Sequence, residues 1–139
     1  MAYQGMTGQG VTVAFTTLTG GVGCIRDLQL QSETVEKIDT TCLDTVDNMT
    51  SIPGDVGDPG QITLVAVFDP TITPPDKGDL DTITVTFPVP TGGSTAATLS
   101  GTGFFTEVGY PQMTVNGLLE MNVVFTFDGD TGPTYTAGT

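Results

Sequence analysis

The chain has 139 residues, with sixteen Asp or Glu against three cations (Arg26, Lys37 and Lys77), a formal net charge of −13 and no histidine. A surface this acidic repels phosphate, which argues against nucleic-acid binding by counterion release and against anionic membranes. The missing histidine removes the commonest general base and metal ligand, while nineteen Gly, no Trp and abundant Thr point to strands and turns in one domain.

In chain order, residues 1–10 read as a flexible N-terminal arm. They show no basic segment followed by an apolar run, so no secretory leader is expected. No apolar run anywhere approaches the roughly 18–20 residues of a membrane-spanning helix. VTVAFTTLT (11–19) alternates weakly and predicts a first strand, closed by the glycine turn GGVG. CIRDLQLQ (24–31) places Leu28 and Leu30 on one face, whereas TVEKIDTT (34–41) sets Val35 and Ile38 out of phase with them. The break near Ser32 and Glu33 is therefore either a tight hairpin or a bulge in one long strand. Residues 41–60, rich in Asp, Gly and Pro, read as a long loop. Loops beyond about 12–15 residues are uncommon in compact domains and are usually functional or disordered.

QITLVAVF (61–68) carries Ile62, Leu64, Ala66 and Phe68 on one side and Val65 and Val67 on the other, which predicts a strand buried on both faces. DTITVTFP (81–88) turns Ile83, Val85 and Phe87 inward and Thr82, Thr84 and Thr86 outward. STAATLSGTGFFTEV (94–108) reads as a strand softened by Gly101 and Gly103. LLEMNVVFTF (118–127) aligns Leu119, Met121, Val123, Phe125 and Phe127 on one face. The Gly/Thr-rich segment 128–139 reads as a C-terminal arm that does not pack by itself. Six or seven strands at short spacing predict an all-β fold, an antiparallel β-sandwich or small barrel. At most one or two short helical turns are expected, in CLDTVDNM (42–49) and TPPDKGDL (73–80). The expected core is Leu64, Phe68, Ile83, Val85, Phe87, Val123 and Phe125.

Little catalytic chemistry is left. Asp44/Asp47 and Asp55/Asp58 are the available carboxylate pairs, and turn carboxylates in water are the simpler reading of both. DVGDPG (55–60) and DGDTG (128–132) cluster carboxylates with glycine but lack the full calcium-loop pattern. GGVGCI has neither the spacing nor the lysine of a phosphate loop. Neither enzymatic activity nor a metal or cofactor is expected. Cys24 and Cys42 are expected to stay reduced in a protein made in the cytosol, and the sequon at Asn48 is read as chance. Phe104, Phe105 and Tyr110, with Pro111 following, read as core plus an interface edge rather than a sugar platform.

Four segments, taken in order, carry a resemblance. SETVEKIDTTCLDT (32–45) ends a strand in I-D-T-T. SIPGDVGDPGQITLVAVFDP (51–70) sets P-G-D and D-P-G before a strong strand ending F-D-P, with Pro74 and Pro75 following. TITVTFPVPTGGSTAATLSGTGFFTEVG (82–109) contains G-T-G-F, and MNVVFTFDGDTGPTYTAG (121–138) runs a last strand into G-P-T. In this the chain resembles the major tail (tail tube) proteins of long, non-contractile-tailed bacteriophages, over about residues 11–135; EVGYPQMTVNG (107–117) has no counterpart in the pattern.

The resemblance implies a tail-tube-type β-sandwich that forms hexameric rings stacked into a tube. The tube holds the tape-measure protein, meets the tail tip and tail terminator proteins, and passes DNA without binding it specifically. It also implies assembly in the host cytoplasm and residence in the virion tail. On that reading the 41–60 loop orders against neighbouring subunits through Thr41, Leu43, Met49, Ile52, Pro53, Gly54, Asp55, Asp58 and Pro59, and Glu33 and Glu36 face the lumen. The rival expectations are another virion β-sandwich, such as a tail terminator or capsid decoration protein, and an extracellular adhesion or carbohydrate-binding module.

Overall fold

Side-chain alternation decides where the sheet forms. In a computed structural model, which describes residues 9–18, 24–110 and 113–139, nine strands follow in order. They are β1 (Thr12–Phe15), β2 (Ile25–Leu30), β3 (Thr34–Asp39), β4 (Ser51–Asp58), β5 (Gln61–Val67), β6 (Leu80–Thr86), β7 (Thr98–Gly109), β8 (Glu120–Phe127) and β9 (Thr134–Thr136). The expected arm over 1–8, the glycine turn over 20–23 and Pro111 lie outside the described residues. Among the described residues there is no helix; the segments 42–49 and 73–80 are turns and irregular chain instead. The prolines Pro74 and Pro75 and the Asp/Thr side chains there favour local turn bonds over a helical ladder.

The chain is all-β and antiparallel. β1-β6-β7-β8-β5-β2 form one sheet, with β9 added against β7, and β3-β4 form a separate two-stranded ribbon. Of the expected sandwich or small barrel, the main sheet comes nearer the barrel: it curls upon itself as a half-barrel instead of facing a second sheet. Ring contacts record the curl. β1 and β8 stand three strands apart, about 14 Å in a flat sheet, yet the Phe15 and Phe125 ring centroids are 5.9 Å apart. Phe15 also lies 5.2 Å from Phe105, and Phe105 meets Phe125 edge-on at 5.3 Å.

The concave side is the core. Ile62, Leu64, Ile83, Val85, Val123 and Phe125 have no exposed surface, and Ala66, Phe105, Met121 and Phe127 complete the buried set. Phe68 and Phe87 are half-buried and pack against its margin. Each large side chain sunk this deeply contributes about 1.5–3 kcal/mol. Gly101 and Gly103 form the floor beneath the phenyl rings: a Cβ at Gly101 would stand 2.8 Å from the Phe127 ring, and one at Gly103 would stand 2.9 Å from that of Phe125.

Two expectations need correction. β5 is not buried on both faces: Thr63, Val65 and Val67 are half-exposed on its convex side, where, among the described residues, no second sheet of the fold is stacked. The C-terminal segment does pack. β7 is twelve residues long and β8 pairs only with Gly103 to Gly109, so the edge of Thr98 to Ser100 would be bare; β9 pairs there. Unpaired backbone groups beside a core are costly, and the tail supplies their partners. Thr139 closes the end, its carbonyl accepting from the N–H of Ser94 at 2.7 Å.

Asp81 is a buried carboxylate at the start of β6. It accepts from the N–H groups of Thr17 (2.8 Å), Leu18 (3.0 Å) and Thr82 (2.7 Å), which fastens the chain leaving β1 to the sheet.

Candidate functional site

The segment expected to be a loop over 41–60 is in large part a strand. β4 pairs with β3, placing Ile38 opposite Ile52 and Asp39 opposite Ser51. Pro53, Gly54 and Gly57 are poor strand formers, and they are accommodated where a bulge shifts the register between Val35 and Lys37. The true turn is 40–50. Threonines order it: Thr40 N–H donates to the Thr50 carbonyl at 2.9 Å, Thr50 N–H to Thr41 Oγ1 at 2.9 Å, and Cys42 N–H to Thr45 Oγ1 at 3.1 Å.

The phase break near Ser32 is neither a tight hairpin between the flanking strands nor a bulge within one strand of a single sheet. β2 pairs with β5, and β3 pairs with β4. Leu30 stands opposite Ile62, and four residues further along each strand Thr34 stands opposite Asp58. One long hairpin therefore keeps its register across a gap at 31–33 and 59–60. Its lower half lies in the main sheet and its upper half, 34–58, leaves it as an arm. The gap is fixed by Gly60, buried with φ +87, where a Cβ would lie 2.8 Å from the Gln31 carbonyl. Gly60 N–H donates to Asp58 Oδ1 at 2.9 Å, and its carbonyl accepts from Phe127 N–H at 3.2 Å.

The arm has no inside. Every residue from 34 to 58 is exposed except Gly54, which is half-buried beside Glu36. Val35, Ile38, Leu43, Val46, Met49, Ile52 and Val56 are all exposed apolar residues, Val46 at 88% and Val56 at 83%. Two-stranded ribbons are marginal in water without a third strand or a packed face, and contiguous exposed apolar surface marks an interaction site.

Of the residues expected to meet neighbouring subunits, Thr41, Leu43 and Met49 lie in the turn, and Ile52, Pro53, Gly54, Asp55 and Asp58 lie on β4. Pro59 sits in the gap, half-buried. The structure brings them onto one ribbon. Glu33 lies in the connection before β3 and Glu36 on β3, both exposed. Val46, in the turn, and Val56, on β4, are likewise exposed apolar residues of the ribbon but were not singled out by sequence; a lone Val among Asp and Gly carries no periodicity to find it by. Thr41, through its hydroxyl and its N–H (2.9 Å), holds the Asp39 carboxyl below the usual carboxylate range.

Other candidates come apart. Phe105 is core, Phe104 is half-buried and Tyr110 is exposed, so they form no strip. Cys24 precedes β2 and Cys42 follows β3, so the length of the hairpin separates these two free, exposed thiols. A cleft of about 660 Å³ between Thr17, Ile72, Pro75 and Asp79 contains Asp81, but that carboxylate is engaged by three N–H groups. Among the described residues, no group of three or more Cys, Asp or Glu side chains is arranged to hold a metal ion. Compared with protein-family models and with curated proteins, the chain gives no match.

Proposed function

We propose that this chain is a structural virion protein that assembles as stacked hexameric rings into a phage tail tube, the conduit for DNA ejection, and that it is not an enzyme. The observation that carries the proposal is the arm. A ribbon exposed on both faces, with seven apolar side chains in water, is uneconomical in a free subunit and reasonable in one that meets neighbours. The outer edges of β1 and β2, which close neither side of the main sheet in one copy, offer further pairing positions. The order of motifs supplies the rest of the reading: the tail-tube type of β-fold, the ring and the tube. It also supplies the tape-measure protein within the tube, the tail tip and terminator proteins at its ends, and a place in the virion tail.

Strong net negative charge suits a channel through which DNA passes without adhering. Glu33 and Glu36 are assigned to the lumen, and replacing both with Lys should slow ejection at low salt. The decisive test is negative-stain microscopy of the purified chain at rising concentration. Hollow tubes are expected. Rings that cap without stacking, or trimeric knobs, would favour a terminator or decoration protein, and monomers throughout would overturn the proposal.

A further inference from the structure

The arm combines an apolar surface with a charge that nothing else in the chain can answer. Between residues 31 and 60 lie seven of the sixteen carboxylates and, of the three cations, only Lys37. All seven carboxylates are exposed. At the turn, Leu43, Val46 and Met49 share their surface with Asp44 and Asp47. The remaining cations, Arg26 on β2 and Lys77 before β6, stand singly on different elements, so a second copy offers the arm no basic cluster to match its carboxylates. Contact between copies through the arm buries apolar area and, in the same step, brings like charges together.

Resting on the self-assembly reading above, we infer that the arm makes association between copies conditional on ionic strength: dilute salt holds copies apart, and concentrated salt lets the arms dock. The sign follows from two opposed effects. Repulsion between exposed charges reaches about 30 Å at about 0.01 M salt and only about 3 Å at about 1 M. Apolar burial persists as salt rises, and excluded salts strengthen it. Interfaces built on complementary charge behave in the opposite way and loosen as salt rises. The carboxylates that matter most are those at the turn, because they approach a neighbour together with the apolar residues they flank.

Sedimentation velocity on the full chain, from about 0.01 M to about 1 M NaCl, tests this with two double variants of equal charge change. Asp44→Asn with Asp47→Asn neutralises the turn; Asp76→Asn with Glu107→Gln neutralises two exposed positions off the arm. The wild type should be monomeric at the low end and assembled at the high end. The turn variant should assemble at clearly lower salt, and the off-arm variant should stay close to wild type. Assembly that dissolves as salt is added, or an equal shift in both variants, would overturn the inference and leave self-assembly standing. Monomers for all three proteins at every salt concentration would overturn both.

Discussion

β4 and β5 are consecutive strands separated only by Pro59 and Gly60, yet they live in different environments. β5 buries Ile62, Leu64 and Ala66 completely, whereas β4 buries nothing. Both are held by antiparallel ladders. The difference teaches that pairing alone makes a strand, while stability comes from what lies beneath it. The body has a floor of glycine and phenyl rings. The arm has water on both faces.

The sharpest way to break this comparison is Phe125→Ala. It removes a fully buried ring that touches Phe15, Phe105 and Phe127, and chemical denaturation should show a loss of about 3–5 kcal/mol. Val85→Ala, which deletes less volume from the same core, should cost less. Next in size is Asp81→Ala. It leaves the Thr17, Leu18 and Thr82 N–H groups without their acceptor, for a loss of about 1–3 kcal/mol in the same experiment.

Replacing residues 34–58 by an Asn-Gly turn should alter stability by no more than about 1 kcal/mol, since only the loop-closure term changes. Circular dichroism should report a folded β-domain, and microscopy should find no tubes. If removing the arm unfolds the body, the contrast drawn above is wrong.

The smallest effect compares one carboxylate of each region. Asp39 on the arm is held below its usual range by Thr41, and Asp69 beyond β5 by Thr71, whose hydroxyl (2.7 Å) and N–H (3.0 Å) both donate to it. A carboxyl depressed on folding contributes stability above its unfolded value of about 3.9 and loses that contribution as pH falls through its folded value. Both groups are fully exposed, so the change should be slight. Carboxyl titration by NMR should place both midpoints below that of an unstructured Asp.

The body was legible because its strands alternate. Ile62 to Phe68, Ile83 to Phe87 and Met121 to Phe127 each announce one buried face through period-two spacing. The arm was legible only as something that does not pack. Asp, Gly and Pro in 51–58 conceal a strand, since its existence depends on register inherited from β2 and β5 rather than on its own residues. β9 escaped for a related reason: Thr134 to Thr136 pair because β7 outruns β8, a fact about neighbours and not about the tail. The packing of the Phe125 and Phe127 rings needs glycines at 101 and 103. Sequence marks them as soft points but gives no hint of the rings above them.

The unbroken register through the gap at 31–33 also determines how the molecule bears load. β3 runs on into β2 and β4 into β5, so tension applied to the arm travels along the strand axis into β5. There the ladder bonds lie perpendicular to the pull, and the seven residue pairs joining β5 to β8 must yield together in shear instead of peeling one after another. The two strands of the arm, dragged apart at the turn, would by contrast unzip. A neighbour that grips the arm along its length therefore pulls on β2, at the edge of the main sheet, and on β5 beside it, where the load is shared by ladders on both sides.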